Sequence, residues 1–540
     1  MATDNRTMLN DCEDNTGWSG DDTANAISTT GSFIEGAGAL STQLSNTSEH
    51  MLTTEDTVGA TTFSIDMSDT TVYMNIKDNL GDTYANGGIQ FVIGDGTDSI
   101  GYDVGGNDAI GMPHQLFFSA FKLDVSEVVT TPGGFTNHAG TEANLDQTAI
   151  TQIGYGSLHL AKAVGSIDNI IMDGFYYILN DSYALTIDSG TSGTPETMAD
   201  VFTDDTTNGW GLVSNPLGLQ YQFFGPTEFG DNGGVSDHYF TATGEQWFWI
   251  GDNAGGRAIA AGNFPFRLTA HASTTGSFVI DSVVVVNTGT AGAFDCSDTN
   301  FDTVEIDACS FTGLASFDTP PSGGTSRHIQ TTTFSECGLI THNGCTVAGC
   351  TITNGTASAS FAMDISDVST VTDCAFNGDG SSYGIELTGT AASVTLTDII
   401  FTGHDAGSVG SPVTPTTTGN EAVYVNIGTG TVTLNVSGGT VPSVRSAGAT
   451  VNVVASTTVT LTGLVANTEV RVYDAGDGSE IAGVENSGTS FAFGDAAANV
   501  VDIRIFHVMY EPADIEGYTI PASATSVPIQ QQFDRNYENP

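Results

Sequence analysis

Carboxylate side chains are the residues in this sequence with the greatest capacity for chemistry. A glycosidase needs two of them across the scissile bond, about 5–9.5 Å apart, and neighbouring strands can bring two acids together. The candidates are Glu386, Asp398 and Asp405, with Asp379 and His404 beside them. Glu386 lies between two apolar residues, which predicts a strand with its carboxylate pointing outward. Because the chain has 63 acidic residues, some clustering is expected by chance, and the favoured interpretation is a solvated surface without a catalytic site.

Paired aspartates in predicted turns are candidate metal ligands. Asp95 and Asp98 share one turn, and Asp474 and Asp477 share another. Hard oxygen donors on turns are what calcium binds, although neither turn completes an EF-hand loop. The sequence therefore predicts no required cofactor, and it names structural calcium as the ion to test.

No motif of a known catalytic class accompanies these acids. The sequence lacks the HExxH, Walker A and zinc-finger patterns. One GxSxG match spans residues 380–384, but a nucleophile elbow requires a strand-to-helix turn, and this match lies in a Gly/Ser loop. We therefore interpret it as chance, and the sequence favours a protein that is not an enzyme.

The charge balance excludes several partners. The chain has 540 residues, with 11 Lys and Arg against 63 Asp and Glu and a net charge of -52. Proteins that bind nucleic acid or anionic lipid need cations, so neither partner is expected. The first residues do not form a signal peptide, and no apolar run reaches 18 residues. We expect synthesis in a cytoplasm without export and no membrane insertion.

The seven cysteines are Cys12 and six that fall between positions 296 and 374. No CxxC pair is present, which argues against zinc and thioredoxin-type chemistry. We expect reduced thiols that serve as small buried apolar groups at a repeated position.

Short apolar runs separated by Gly, Asn and Asp predict an all-β chain. Residues 1–178 contain Trp18, "EGAGAL" at 35–40 and "IDNIIMDGF" at 167–175. This pattern resembles the concanavalin-like jelly rolls of laminin-G-type and carbohydrate-binding modules. The resemblance implies a two-sheet sandwich with affinity for sugar or calcium.

Residues 276–455 contain an internal repeat. Its anchors are Phe311, Phe334, Ile352, Phe376 and Phe401, with spacings of 23, 18, 24 and 25 residues. A period of this length predicts the coils of a right-handed parallel β-helix. The repeat resembles those of phage tailspikes, pectate-lyase-like enzymes and surface adhesins, which share a fold and differ in function.

Two further regions complete the predicted organisation. Residues 179–275 hold three of the four tryptophans and are predicted to form an aromatic-rich β region that caps the helix. Residues 456–540 resemble immunoglobulin-like or transthyretin-like modules, which implies a small β-sandwich. The polar, extended tail that follows is a candidate contact with a neighbouring subunit.

The last residues carry the most specific resemblance. "VPIQQQFDRNYENP" at 527–540 resembles the C-termini of structural proteins of tailed bacteriophages, especially marine ones. It implies a virion protein made in the host cytoplasm, a tail fibre or tailspike used in host attachment. Its expected partners are other virion proteins, two copies of itself in a homotrimer, and a host surface glycan. The alternatives are a capsid decoration protein or head fibre, a β-helix polysaccharide depolymerase, and a cellular adhesin.

Overall fold

The structure is a computed structural model of the chain. It describes residues 2–13, 15, 17–20, 27–30, 39–44, 48–54, 62–78, 89–104, 119–124, 135–139, 144–158, 168–179, 182–188, 190–215, 218–223, 225–231, 236–250, 266–287, 292–354, 361–366, 370–378, 382–389, 393–404, 421–496, 499–521 and 524–535.

The prediction of an all-β chain is confirmed. Strands dominate the described residues, which include one α-helix, α1 (Met198–Asn208), and a short 3-10 helix at Gln147–Ala149. Within those ranges, no helix has the length and apolar character needed to span a membrane. The chain divides into unit 1 (residues 1–328 and 332–340) and unit 2 (residues 329–331 and 341–540).

Unit 1 begins with two antiparallel sheets. Sheet A contains, in spatial order, Ser119–Asp124, Thr70–Asp78, Asp168–Leu179, Ala39–Leu44 and Ile27–Thr30, with Thr7–Asn10 also paired to Asp168–Leu179. Sheet B contains Phe135–Ala139, Ser99–Val104, Ile89–Gly94, Gln152–Leu158, Ser48–Thr53 and Ser19–Gly20. Residues of both sheets share one buried core, so they form a sandwich. Trp18 lies in that core, with its ring centroid 5.4 Å from that of Tyr155 and 5.8 Å from that of Phe175.

The rest of unit 1 contains three mainly parallel sheets, which successive strands enter in turn. Sheet C contains Leu185–Ile187, Thr227–Phe229, Phe266–Leu268, Ala293–Asp295 and Ser316–Asp318. Sheet D contains Gln220–Phe223, Trp247–Ile250, Val284–Asn287, Ser310–Thr312 and Thr333–Cys337, with Val213–Ser214 antiparallel at its edge. Sheet E contains His238–Thr243, Gly276–Asp281, Phe301–Asp307 and Ser326–Gln330. Parallel pairing therefore begins at Leu185–Ile187, well before position 276.

An antiparallel strand and helix α1 cover the first edge of sheet C. Strand Ala2–Asp4 pairs with Leu185–Ile187, and the Ala2 backbone N–H donates to Asp204 on α1 at 2.8 Å. The helix begins at a capping box formed by Thr197 and Asp200 and ends at Gly209, whose φ is 72°. Both caps satisfy backbone groups that the helix ends leave open. A covered edge also prevents pairing with other chains.

Aromatic residues at equivalent strand positions fill the space between the parallel sheets. Phe311 pairs in register with Phe334, and their rings stack with centroids 5.1 Å apart. The same column begins earlier than the sequence predicted, at Tyr221 and Phe248. Burial of these side chains is the main force that fixes the register, because a one-residue slip would turn every apolar side chain outward.

Unit 2 contains three further sets of parallel strands. Sheet F contains Phe361–Ile365, Tyr383–Leu387, Val423–Val425 and Val444–Ser446. Sheet G contains Thr351–Asn354, Ala375–Asn377 and Ile400–Thr402. Sheet H contains Thr346–Ala348, Val371–Thr372, Ser393–Thr397, Thr431–Ser437 and Thr450–Thr462. In sheet G the predicted anchors Ile352, Phe376 and Phe401 are register partners.

The terminal module shares a strand with sheet H. Thr450–Thr462 continues past the parallel sheet and pairs antiparallel with Ser490–Ala496 and parallel with Thr525–Pro528. A four-stranded antiparallel sheet shares its core, in the order Glu480–Ser487, Thr468–Asp474, Val500–His507 and Tyr510–Thr519. The tail does not project from this module as far as residue 534. Instead, Gln531 accepts a hydrogen bond from the Val465 N–H at 2.7 Å, and Phe533 contacts Tyr510.

All seven cysteines are free and buried, as the sequence predicts. Cys309 and Cys374 each follow a residue with positive φ at the corner between a sheet E or sheet H strand and the next strand. The backbone there turns sharply and points the next side chain inward. Cys350 follows Gly349 at the same kind of corner. Small side chains fit this crowded position, which explains why cysteine recurs there.

Candidate functional site

A row of polar side chains crosses the outer face of sheet F. Asp364, Glu386, Tyr424 and Arg445 are successive register partners on its four strands. We call these four residues the acidic row. Asp364 and Glu386 are each flanked by buried apolar residues that point into the interior. This alternation turns both carboxylates to the outside.

The two carboxylates lie on adjacent strands, and each has a specific hydrogen-bond donor. The Thr388 hydroxyl donates to Asp364 Oδ1 at 2.8 Å, and Asn426 Nδ2 donates to Glu386 Oε1 at 2.8 Å. Because neighbouring strands are about 4.8 Å apart, the backbones that carry the two acids lie side by side on this face.

The pKa of the Glu386 carboxyl is raised. Burial is the largest cause, and the negative charge of Asp364 adds to it, while the hydrogen bond from Asn426 opposes both. A raised pKa increases the fraction of protonated acid near neutral pH, which is what a general acid requires.

A buried ion pair closes one end of the acidic row. Arg445 contacts Glu421 Oε1 at 2.5 Å, and the Glu421 side chain is only 5% exposed. Burial is the largest single effect and lowers the pKa of Arg445, but the hydrogen bond and the charge of Glu421, together with the interaction with Tyr383, outweigh it, and the pKa is raised. Arg445 therefore stays charged and holds the buried carboxylate in place.

Two tyrosines, Tyr383 and the row member Tyr424, pack together at this end of the row. The rings of Tyr383 and Tyr424 stack with centroids 5.0 Å apart. Both residues are at least 96% buried, since their exposed fractions are 2% and 4%, and burial raises the pKa of each phenol. With so little exposed surface, neither ring offers a face on which a sugar could stack.

The structure separates the other sequence candidates from Glu386. Asp398 lies at a corner of the chain with a φ of 52°, and its N–H donates to the Ser437 carbonyl. His404 packs against the Gly384 backbone, two residues before Glu386. Asp379 and Asp405 lie outside the described residues. Asp364 is therefore the acid on the strand next to Glu386, whereas Asp398 lies at the corner described above.

The predicted calcium ligands serve as turn caps in the structure. Asp95 Oδ1 accepts from the N–H groups of Thr97 and Asp98, and its Oδ2 accepts from the Asp146 N–H. Asp474 Oδ1 accepts from Gly476 and Asp477 N–H groups. These bonds lower the pKa of Asp474, with the side chain of Asn499 as the largest cause. Each turn keeps exposed oxygens, so calcium there remains a prediction.

Comparisons with known proteins give no family assignment. No protein-family model matches the sequence, and no curated protein matches it. Among solved structures, the chain is similar to a family 11 carbohydrate-binding module from Clostridium thermocellum in complex with a beta-1,3-1,4-mixed-linked tetrasaccharide, at 10% identity and a TM-score of 0.20 over 32% of this chain and 95% of that one. It is also similar to the cellulose induced protein Cip1, at 12% identity and a TM-score of 0.21 over 32% of this chain and 96% of that one. At these TM-scores, neither likeness carries an argument about function.

Proposed function

We propose that the chain is a structural protein of a tailed-bacteriophage virion, a fibre or spike that contacts the host surface. The observation that carries the proposal is the repeated parallel pairing of every third strand around an aromatic core. We further propose that the three sheets of each parallel region are the three faces of a right-handed parallel β-helix. Such coils are rigid because each one buries its apolar side chains against its neighbours.

The outer surface of sheet H suits contact with a polar partner. One row across it joins Ser393, Thr433 and Asn452, and the row two residues further along joins Thr395, Asn435 and Val454. Hydroxyl and amide groups on a flat sheet offer many hydrogen-bond donors and acceptors to a glycan. The high negative charge keeps such a surface soluble and disfavours adsorption to anionic lipid.

The resemblance of residues 527–540 to phage structural proteins supports the virion assignment. The proposal includes synthesis in the host cytoplasm, assembly as a homotrimer with other virion proteins, and presentation of the parallel sheets to a host surface glycan. A capsid decoration protein or head fibre is the alternative within the same class.

Competition for host adsorption tests the attachment role. Host cells are incubated with the purified full chain before phage is added, and free phage is counted. We expect adsorption to fall in proportion to the protein bound, because the chain occupies the receptor. An equally acidic unrelated protein is the control. Unchanged adsorption despite saturating protein would overturn the attachment role and leave capsid decoration as the virion assignment.

One observation favours a second function, cleavage of the host polysaccharide by the acidic row. Glu386 has a raised pKa and is the register partner of Asp364 on the adjacent strand. In a retaining mechanism Glu386 would protonate the leaving oxygen while Asp364 attacks the sugar carbon. Release of reducing ends from host polysaccharide should then be lost in Glu386→Gln and Asp364→Asn, and retained in Asp398→Asn. Equal release by all three variants, or none by the wild type, would exclude this function.

A further inference from the structure

Three side chains of the types that bind metal ions meet on the outer face of sheet E. They are Glu305 and Asp307 on strand Phe301–Asp307, and His328 on strand Ser326–Gln330. One ligand atom from each lies within 4.8 Å of the other two. No local sequence pattern joins these residues, because His328 is separated from the two acids by about one repeat of the chain.

Strand alternation explains why the three side chains share a face. Val304 and Ile306 are fully buried, which turns Glu305 and Asp307 outward on either side of Ile306. Ile329 is also fully buried, which turns the preceding His328 outward. The positions of all three donors are therefore fixed by the core beneath them and do not depend on a loop.

The histidine is oriented as a ligand would be. Its Nδ1 lies 3.2 Å from the Ser326 hydroxyl, while Nε2 lies 3.2 and 3.3 Å from the two oxygens of Asp307. When Nδ1 carries the proton and donates it to Ser326, the lone pair of Nε2 faces a carboxylate. That contact is repulsive unless a cation lies between the two groups.

The surrounding charges also call for a cation. Asp281 is the register partner of Asp307 on the next strand, so two carboxylates stand side by side, an arrangement that destabilises a sheet. Glu305 has no hydrogen-bond or ion-pair partner among the described residues, although it is half-buried. Asp307 Oδ1 is inaccessible to solvent and accepts no hydrogen bond within the described part of the chain.

We propose that Glu305, Asp307 and His328 bind a divalent transition-metal ion such as Zn²⁺, with water completing its shell. A mixed set of imidazole and carboxylate donors suits zinc, whereas calcium takes oxygen ligands. Bonds of about 2.1 Å place neighbouring ligand atoms of a tetrahedral site roughly 3.4 Å apart. The Asp307–His328 pair already has this separation, and rotation of the Glu305 side chain closes the rest. The ion would tie two adjacent strands together and neutralise their repulsion.

Equilibrium dialysis of the full chain against Zn²⁺, with millimolar Mg²⁺ to fill diffuse acidic sites, tests the proposal. We expect one zinc ion per chain in the wild type and none in Glu305→Gln or His328→Ala. Ser326→Ala, which only removes the orienting contact, should weaken binding by about 10–100-fold. The matched control is His271→Ala, which removes another unit 1 histidine whose ring, among the described residues, hydrogen-bonds with Ser273, and this variant should retain the ion.

A second readout uses Co²⁺ in place of Zn²⁺, because the visible absorption of bound Co²⁺ reports the number and geometry of its ligands. Loss of the bands in His328→Ala would confirm the ligand. Displacement of the zinc by Mg²⁺ would overturn the proposal, and so would zinc binding by Glu305→Gln as tight as that of the wild type. The contact between His328 and Asp307 would then be a simple His–Asp pair. Glu305→Gln is nearly isosteric and faces outward, so it decides the question even where His328→Ala unfolds.

Discussion

The buried ion pair at the end of the acidic row gives the sharpest stability prediction. Replacing Arg445 with Met leaves the Glu421 carboxylate, which is 5% exposed, without its cation. Removing one partner of a buried pair costs about 3–5 kcal/mol. Because Arg445 is itself 25% exposed, water screens part of the pair, and we expect the lower end, about 3 kcal/mol.

Hydrogen–deuterium exchange is the suitable assay. All four tryptophans lie in unit 1, so their fluorescence does not report unit 2. Peptides that cover Val423–Val425 and Val444–Ser446 should exchange faster in Arg445→Met, by roughly 150-fold for a loss of about 3 kcal/mol. Peptides from sheets A and B are the internal control and should exchange at the wild-type rate.

The double variant Glu421→Met/Arg445→Met separates the lost charge partner from lost packing. Replacing a whole buried pair with apolar side chains is often neutral or stabilising, so we expect exchange within about tenfold of the wild type, or about 1.4 kcal/mol. A single variant that exchanges like the wild type would show that Glu421 is solvated. Such a result would refute a buried ion pair between Arg445 and Glu421.

Three further predictions concern unit 1, where tryptophan fluorescence during urea unfolding is the readout. Phe311→Ala should lower the free energy of unfolding by about 3–5 kcal/mol, since Phe311 is fully buried and stacks on Phe334. The control Leu219→Ala, at 53% exposure, should change it by less than about 0.5 kcal/mol. Equal losses in the two variants would contradict the packing of the aromatic column. Ala308→Gly should raise the free energy of unfolding by about 0.5–1 kcal/mol, because Ala308 has a φ of 51°, which glycine adopts without strain. A less stable variant would show that the backbone at Ala308 is not strained. Burial raises the pKa of Asp205 to about 7, although the hydrogen bonds that its carboxylate accepts from the Leu212 and Val213 N–H groups lower it. Its stabilising contribution is therefore complete below pH 4 or so and lost as pH rises to about 7. Asp205→Asn, whose amide oxygen can accept the same bonds, should lack this loss, and an identical pH profile in both proteins would refute the shift.

The repeat could be predicted from sequence because its signal is local and periodic. Phe311 with Phe334, and Ile352 with Phe376 and Phe401, were recognised as equivalent positions, and each set is in register. Tyr221 and Phe248 belong to the same column but were missed, since their interval of 27 residues and different side chains hide the repeat. Helix α1 was also missed, although Thr197, Asp200 and Gly209 carried the cap signals.

The candidate site could be predicted only in part. Glu386 was identified, with the correct outward direction, because apolar residues flank it. Its partner Asp364 has the same flanking pattern and lies 22 residues earlier, but it was missed because the predicted anchors mark strands of other sheets. Pairing of Ala2–Asp4 with Leu185–Ile187 joins segments far apart in the chain. Such pairing depends on tertiary packing that no local pattern records.

Immunogold labelling of intact particles tests the central claim most directly. An antibody raised against residues 1–178 is applied to purified virions of a tailed phage that carries this gene. If the chain is an attachment fibre, we expect gold at the tail tip or along tail fibres, at sites that repeat with the symmetry of the tail. Gold spread over the capsid would contradict host attachment and support decoration, and particles without gold that also lack peptides of this chain by mass spectrometry would contradict the virion assignment itself.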